Sequence, residues 1–94
     1  MINEEIHGFL KALASEKRQE IMFLFIDRSE VTVNQVSELV GIGQSTASEQ
    51  LAILKRGGLL SSRKEGKEVY YSTDRNKIME LLQSLNQLLT DCCK

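Results

Sequence analysis

The side chains that could do chemistry in this chain fall into three sets. Cys92 and Cys93 stand side by side, and two thiolates so placed can hold a soft ion such as arsenite or react with oxidants and persulfides. Adjacent cysteines close only a strained ring, so they make a poor structural staple. A second reading gives Cys92 the role of a small apolar residue continuing a hydrophobic seam. The second set is the polar run Gln44, Ser45, Thr46, Ser48 and Glu49, and the third is the cationic cluster Arg63, Lys64 and Lys67. Hydroxyls and amides at helical spacing can bond phosphates or base edges, and a carboxylate can accept from cytosine N4. A polar face is also what solvation alone produces. The single histidine, His7, reads as an ordinary helical residue. With no His–carboxylate–nucleophile set and no phosphate-binding glycine loop, an enzyme is not expected.

Elements that position these residues follow from periodicity and caps. Ile6, Phe9, Leu10 and Leu13 are spaced for a first helix. Ser15 is an N-cap for a second, from about Glu16 to Ile26, whose apolar residues cover most of its circumference and so predict burial in the core. Thr32 and Gln35 form a capping box for a third helix with Val33, Val36, Leu39 and Val40 inward. Gly41-Ile42-Gly43 makes a short turn into a fourth helix from about Gln44 to Lys55, which Gly57-Gly58 ends. On this helix Ala47, Leu51 and Leu54 share the inward face, which turns the polar run outward.

After Gly58 the period changes. Segments 59–64 and 68–73 flank Glu65-Gly66-Lys67 and predict a β-hairpin. Ile78, Leu82, Leu85, Leu89 and Cys92 then step by three and four along a final helix. The expected fold is mainly α with a β-hairpin wing: four helices, two strands and a last helix, in one domain over residues 1–94. Two helices joined by a glycine turn and followed by a charged hairpin form the winged helix-turn-helix pattern. One helix enters the major groove, and the hairpin reaches an adjacent groove or the phosphates.

The last helix and the first (Ile2, Ile6, Phe9, Leu10) carry more apolar surface than one small domain can bury. The expected interface of a homodimer therefore comprises Ile6, Phe9, Leu10, Ile78, Leu82, Leu85 and Leu89. A two-fold dimer sets two reading helices about one DNA turn apart, which suits an inverted repeat. Packing of these helices within one chain is the competing reading.

Taken jointly, four stretches resemble the ArsR/SmtB family of bacterial transcriptional repressors. These are Leu13-Ala14-Ser15 with Arg18 and Ile21, Gly43-Gln44-Ser45-Thr46-Ala47-Ser48-Glu49-Gln50-Leu51, Leu54-Lys55-Arg56-Gly57-Gly58-Leu59-Leu60, and Arg63-Lys64-Glu65-Gly66-Lys67 with Val69-Tyr70-Tyr71. The similarity runs from about residue 6 to residue 90. Gly43 stands where the family usually has Ser, Gln50 where His is frequent, and Glu49 where neutral or basic residues are common. The resemblance implies a homodimeric repressor that binds an inverted-repeat DNA operator and is released by a chemical signal. It also places the family's metal ligands at positions held here by Thr32, Asn34, Arg75, Lys77, Leu88 and Asp91. No familiar metal site is therefore expected, and arsenite, a soft metal or redox chemistry at Cys92 and Cys93 remains the candidate signal.

The net charge of −1 argues against gripping DNA by bulk charge. It favours the alternative of a winged-helix protein-interaction module that has lost sequence-specific binding. The sum hides a gradient, however: residues 1–30 carry six acids and four bases, whereas residues 44–68 carry five bases and three acids. No apolar run is long enough to span a bilayer. With no leader-like segment and no wider cysteine framework, a cytoplasmic location is expected.

Overall fold

Side-chain caps set where the helices begin. In the computed structural model, which describes residues 3–93, the Asn3 side chain accepts from the Ile6 N–H at 2.9 Å and opens α1 (Glu4–Leu13). Ser15 Oγ accepts from the Arg18 N–H at 3.3 Å and opens α2 (Glu16–Phe23). The expected capping box is present. Thr32 Oγ1 accepts from the Gln35 N–H at 3.2 Å, and Gln35 Oε1 accepts from the Thr32 N–H at 2.9 Å, opening α3 (Val33–Val40). Gly41, at φ 75°, closes that helix in the left-handed region that a β-carbon disfavours. Then come α4 (Gln44–Arg56), the hairpin strands β2 (Leu60–Glu65) and β3 (Glu68–Thr73), and α5 (Arg75–Cys92), which Asp74 caps.

The end of α4 divides its labour between two glycines. Gly58, at φ 85°, takes the left-handed position. Its N–H reaches the Lys55 carbonyl at 3.1 Å, and the Leu59 N–H reaches that of Leu54 at 3.0 Å. Gly57 keeps a right-handed conformation and serves a different need. A β-carbon there would lie 2.7 Å from the Ala12 β-carbon and 3.0 Å from the Gly8 carbonyl oxygen, so its absence lets α1 lie against α4.

Three features differ from the sequence expectation. A short strand, β1 (Val31–Thr32), precedes α3 and pairs antiparallel with β3. The sheet is thus three-stranded in the order β1-β3-β2, and the hairpin is anchored on one side. Helix α2 ends at Phe23 and passes into a 3-10 turn over Leu24–Ile26. Its expected burial in the core holds in part: Ile21 is fully buried and Met22, Leu24 and Phe25 pack half-buried against the core, but Phe23 and Ile26 are 67% and 79% exposed. The apolar residues circle the helix, while only one side has a neighbour to pack on. Third, Ile6 and Phe9, expected at a dimer interface, are buried within this chain at 5% and 2% exposure. They face inward from α1 together with Ala12, in a core that includes Leu51, Leu54 and Leu81. Intramolecular packing has claimed that side of α1.

The rest of the expected apolar face stays open. Leu10, Leu82 and Leu89 are exposed, Ile78 and Leu85 are half-buried, and Met79 on α5 is exposed as well. The overall extents are 49 × 24 × 24 Å, with a radius of gyration of 14.3 Å, against about 12 Å for a compact domain of this length. Cys92 and Cys93, at the end of α5, are both free and exposed. Cys92 therefore does not sit in a core of this chain. Ile2 lies outside the described residues.

Candidate nucleic-acid interface

Helix α4 sorts its residues as the periodicity required. Ala47, Leu51 and Leu54 are fully buried, while Gln44, Ser45, Thr46, Ser48 and Glu49 are exposed along the N-terminal half. Burial of the first set against the core fixes the helix, and the second set is what it offers to a partner.

The start of α4 has two further properties. Gly43 is its N-cap and supplies no side-chain hydrogen bond. The first N–H groups, which have no partner within the helix, are therefore left for an external acceptor such as a phosphate. Gln44 is less free than its position implied, because its amide donates to Asn34 Oδ1 on α3. That bond ties the two helices of the motif at their N-terminal ends.

The hairpin is tied to the other, C-terminal end of α4. Lys55 Nζ on α4 donates to Ser62 Oγ on β2 at 2.7 Å, linking α4 to the first strand of the wing. Lys64 and Lys67 are exposed, and neither is in an ion pair among the described residues. Arg63 differs from both. Its Nε and Nη2 donate to the two carboxylate oxygens of Glu30 at 2.8 and 2.9 Å, and its Nη1 donates to Glu65 Oε2 at 2.6 Å. The guanidinium carbon also lies 4.5 Å from the centroid of the Tyr70 ring. These hydrogen bonds hold the Glu30 carboxyl below its ordinary pKa and raise that of Arg63. Glu30 had no sequence signal, since only the sheet brings it near a residue 33 positions away.

Other expected sites are simply placed. Among the described residues no group of three or more His, Cys, Asp or Glu could hold a metal ion. His7 is exposed on α1. Arg75 and Lys77 stand in the first turn of α5, where Lys77 pairs with Glu5 on α1. Among the described residues no helix is long and apolar enough to cross a membrane.

With this geometry in hand, comparisons with known proteins are specific. The model of the arsR family of bacterial regulatory proteins matches residues 15–62, from the cap of α2 into the first strand of the hairpin. The transcriptional activator HlyU of Vibrio cholerae is 34% identical over 84% of this chain and 72% of its own length. A homolog of the cadmium resistance regulatory protein CadC from Staphylococcus aureus is 36% identical over 84% of this chain and 65% of its own. In structure, the homodimeric winged helix-turn-helix DNA-binding domain of a Mycobacterium bovis protein superposes with a TM-score of 0.73. It is 30% identical, and the match covers 94% of this chain and 80% of that one. The capped α3–turn–α4 pair, the hairpin wing and these similarities together establish that the chain is a winged helix-turn-helix protein and belongs to the ArsR family of bacterial transcriptional regulators.

Proposed function

We propose that this chain acts in the cytoplasm as a homodimeric repressor, with no catalytic activity of its own, at an inverted-repeat DNA operator. The observation that carries this reading is the division of α4. Its buried side locks the helix to the core, its uncapped N-terminal end presents Gln44, Ser45, Thr46, Ser48 and Glu49, and the hairpin adds exposed cations. Small hydroxyls permit close approach to the groove, and Glu49 selects for cytosine where its carboxylate meets N4 and against sites where it meets a phosphate. A protein with net charge −1 then has low non-specific affinity, so binding depends on the right operator.

The dimer in this reading forms through the apolar face that α1 and α5 leave open: Leu10, Ile78, Leu82, Leu85 and Leu89, joined by Met79. Covering such a surface is the ordinary role of a second subunit. Ile6 and Phe9 take no direct part, being buried within each subunit.

Selection from a random duplex library tests the function. The expected result is an enriched inverted repeat bound by two chains, and repression of a reporter carrying it. Absence of any enriched palindrome favours a protein-interaction module instead. For the signal, exposed Cys92 and Cys93 are the candidate thiols. A Cys92→Ser/Cys93→Ser variant titrated onto DNA with arsenite, zinc or oxidant should lose the release shown by the parent chain. An identical response in the variant removes these thiols from the mechanism.

A further inference from the structure

Arg63 reaches across the sheet. In the register, Thr32 of β1 and Arg63 of β2 both pair with Tyr70 of β3, so β3 stands between them. The Arg63 side chain passes over the Tyr70 ring and grips Glu30, the residue before β1, with two parallel hydrogen bonds. Its third nitrogen is held by Glu65, two residues along its own strand. All three guanidinium nitrogens are therefore occupied by protein carboxylates. The cluster holds one cation between two anions, which gives it a net negative charge. Two N–H groups remain, one on each terminal nitrogen, but a DNA phosphate approaching them is repelled by the adjoining Glu30 and Glu65 carboxylates. Lys64 and Lys67, by contrast, carry charges that no carboxylate answers among the described residues.

We propose that Arg63 is a positioning residue rather than a DNA contact. It clips the outer strand of the wing to the segment that leads into β1 and α3, and so fixes the wing's pose relative to the helix-turn-helix. The phosphate-binding cations of the wing are then Lys64 and Lys67. This rests on the DNA-binding reading above, but the clip itself is a property of the free protein.

The two roles predict opposite signs for one substitution. If Arg63 bound phosphate, Glu30→Gln would release it and remove a repulsive charge, and affinity would rise. If Arg63 is a clip, Glu30→Gln loosens the wing and affinity falls, as it does for Arg63→Ala. The full chain and the duplex it enriches serve for the measurement, with Kd followed against salt for both single variants, their double variant, Lys64→Ala and Lys67→Ala. The expected result is a loss of about 3- to 10-fold for Arg63→Ala and for Glu30→Gln. The double variant should be no weaker than the worse single, and their salt slopes unchanged. Lys64→Ala and Lys67→Ala should each reduce the slope by about one phosphate contact. Tighter binding by Glu30→Gln, or a slope reduced by about one in Arg63→Ala, overturns the proposal. Amide hydrogen exchange in the free chain provides the second readout. Residues 60–73 should exchange faster in Arg63→Ala and Glu30→Gln and at the parent rate in Lys64→Ala. Unchanged exchange in both clip variants overturns the clip even if no duplex is ever enriched.

Discussion

Arg18 Nη1 donates to Gln50 Oε1 at 2.8 Å, joining the start of α2 to the middle of α4. The same guanidinium donates through Nε to the Ala12 carbonyl at 2.8 Å and through Nη2 to that of Lys11 at 3.2 Å. Those carbonyls lie in the last turn of α1, where acceptors run short of helical partners, although the Ala14 N–H also donates to that of Lys11 at 3.2 Å. One side chain thus connects the helix that bears Leu10, on the open apolar face, to the helix that bears the exposed polar residues from Gln44 to Glu49. Gln50 supplies a neutral acceptor for Arg18.

Substituting Arg18→Ala removes three hydrogen bonds from a half-buried charged donor. The expected loss in unfolding free energy is about 2 kcal/mol, read from urea denaturation. Gln50→Ala, which removes one acceptor, should cost clearly less. Equal losses in the two variants would mean that the contacts to α1 contribute nothing.

The two glycines flanking α4 should respond in opposite directions. Gly57→Ala forces a β-carbon to within 2.7 Å of that of Ala12, and overpacking of this kind costs about 1–3 kcal/mol. Gly43→Ser meets nothing within 4 Å and adds an N-cap hydroxyl, for a gain of a few tenths of a kcal/mol, roughly. Thermal melts of the two variants check both signs. A stabilised Gly57→Ala would contradict the close approach of α1 to α4.

Charging the open face should separate the subunits. Leu82→Asp and Leu89→Asp place carboxylates on exposed positions of α5, so each monomer keeps its fold while association is lost. Sedimentation velocity should show the parent as a dimer and the double variant as a monomer with unchanged circular dichroism. A double variant that still sediments as a dimer would place the interface elsewhere.

The ion pairs set a pH dependence at both ends of the scale. Pairing with Arg63 lowers the Glu30 pKa from 4.5, so its contribution is present above that value. It is lost as pH falls through the lowered folded pKa. Pairing with Glu5 raises the Lys77 pKa from 10.5, so that contribution is complete below 10.5 and is lost as pH rises through the raised value. Tm measured against pH should fall less steeply below about pH 4.5 in Glu30→Gln than in the parent chain. Identical acid limbs would show that Glu30 stays paired in the unfolded state or is not paired at all.

Much of the fold was legible because its signals are local. Ser15, the Thr32–Gln35 capping box, Gly41 and the Gly57-Gly58 pair act within a turn or two of where they stand, and each marks the boundary expected of it. The inward face of α4 was legible for the same reason, since helical spacing alone separates Ala47, Leu51 and Leu54 from the polar run. Strand β1 was not. Two residues carry no periodicity, and Val31-Thr32 becomes a strand only because Tyr70 and Tyr71 lie alongside. Composition was a partial guide over α2 and the turn after it, where Ile21, Met22, Leu24 and Phe25 join the core but Phe23 and Ile26 have no neighbour to cover them.

The sequence by itself determined the winged helix-turn-helix order, the exposed run from Gln44 to Glu49 and the apolar stripe along α5, because each depends on period and short-range capping. Tertiary structure alone decided which apolar residues of α1 are spent inside the chain and which stay open. It also decided which cations of the wing are free. Ile6, Phe9 and Leu10 are all apolar residues of α1 set apart by what packs beside them, and Arg63 is set apart from Lys64 by the Glu30 carboxylate brought to it across a sheet. Residue type fixes what a side chain can do, but burial and pairing depend on neighbours distant in sequence, and those exist only once the chain has folded.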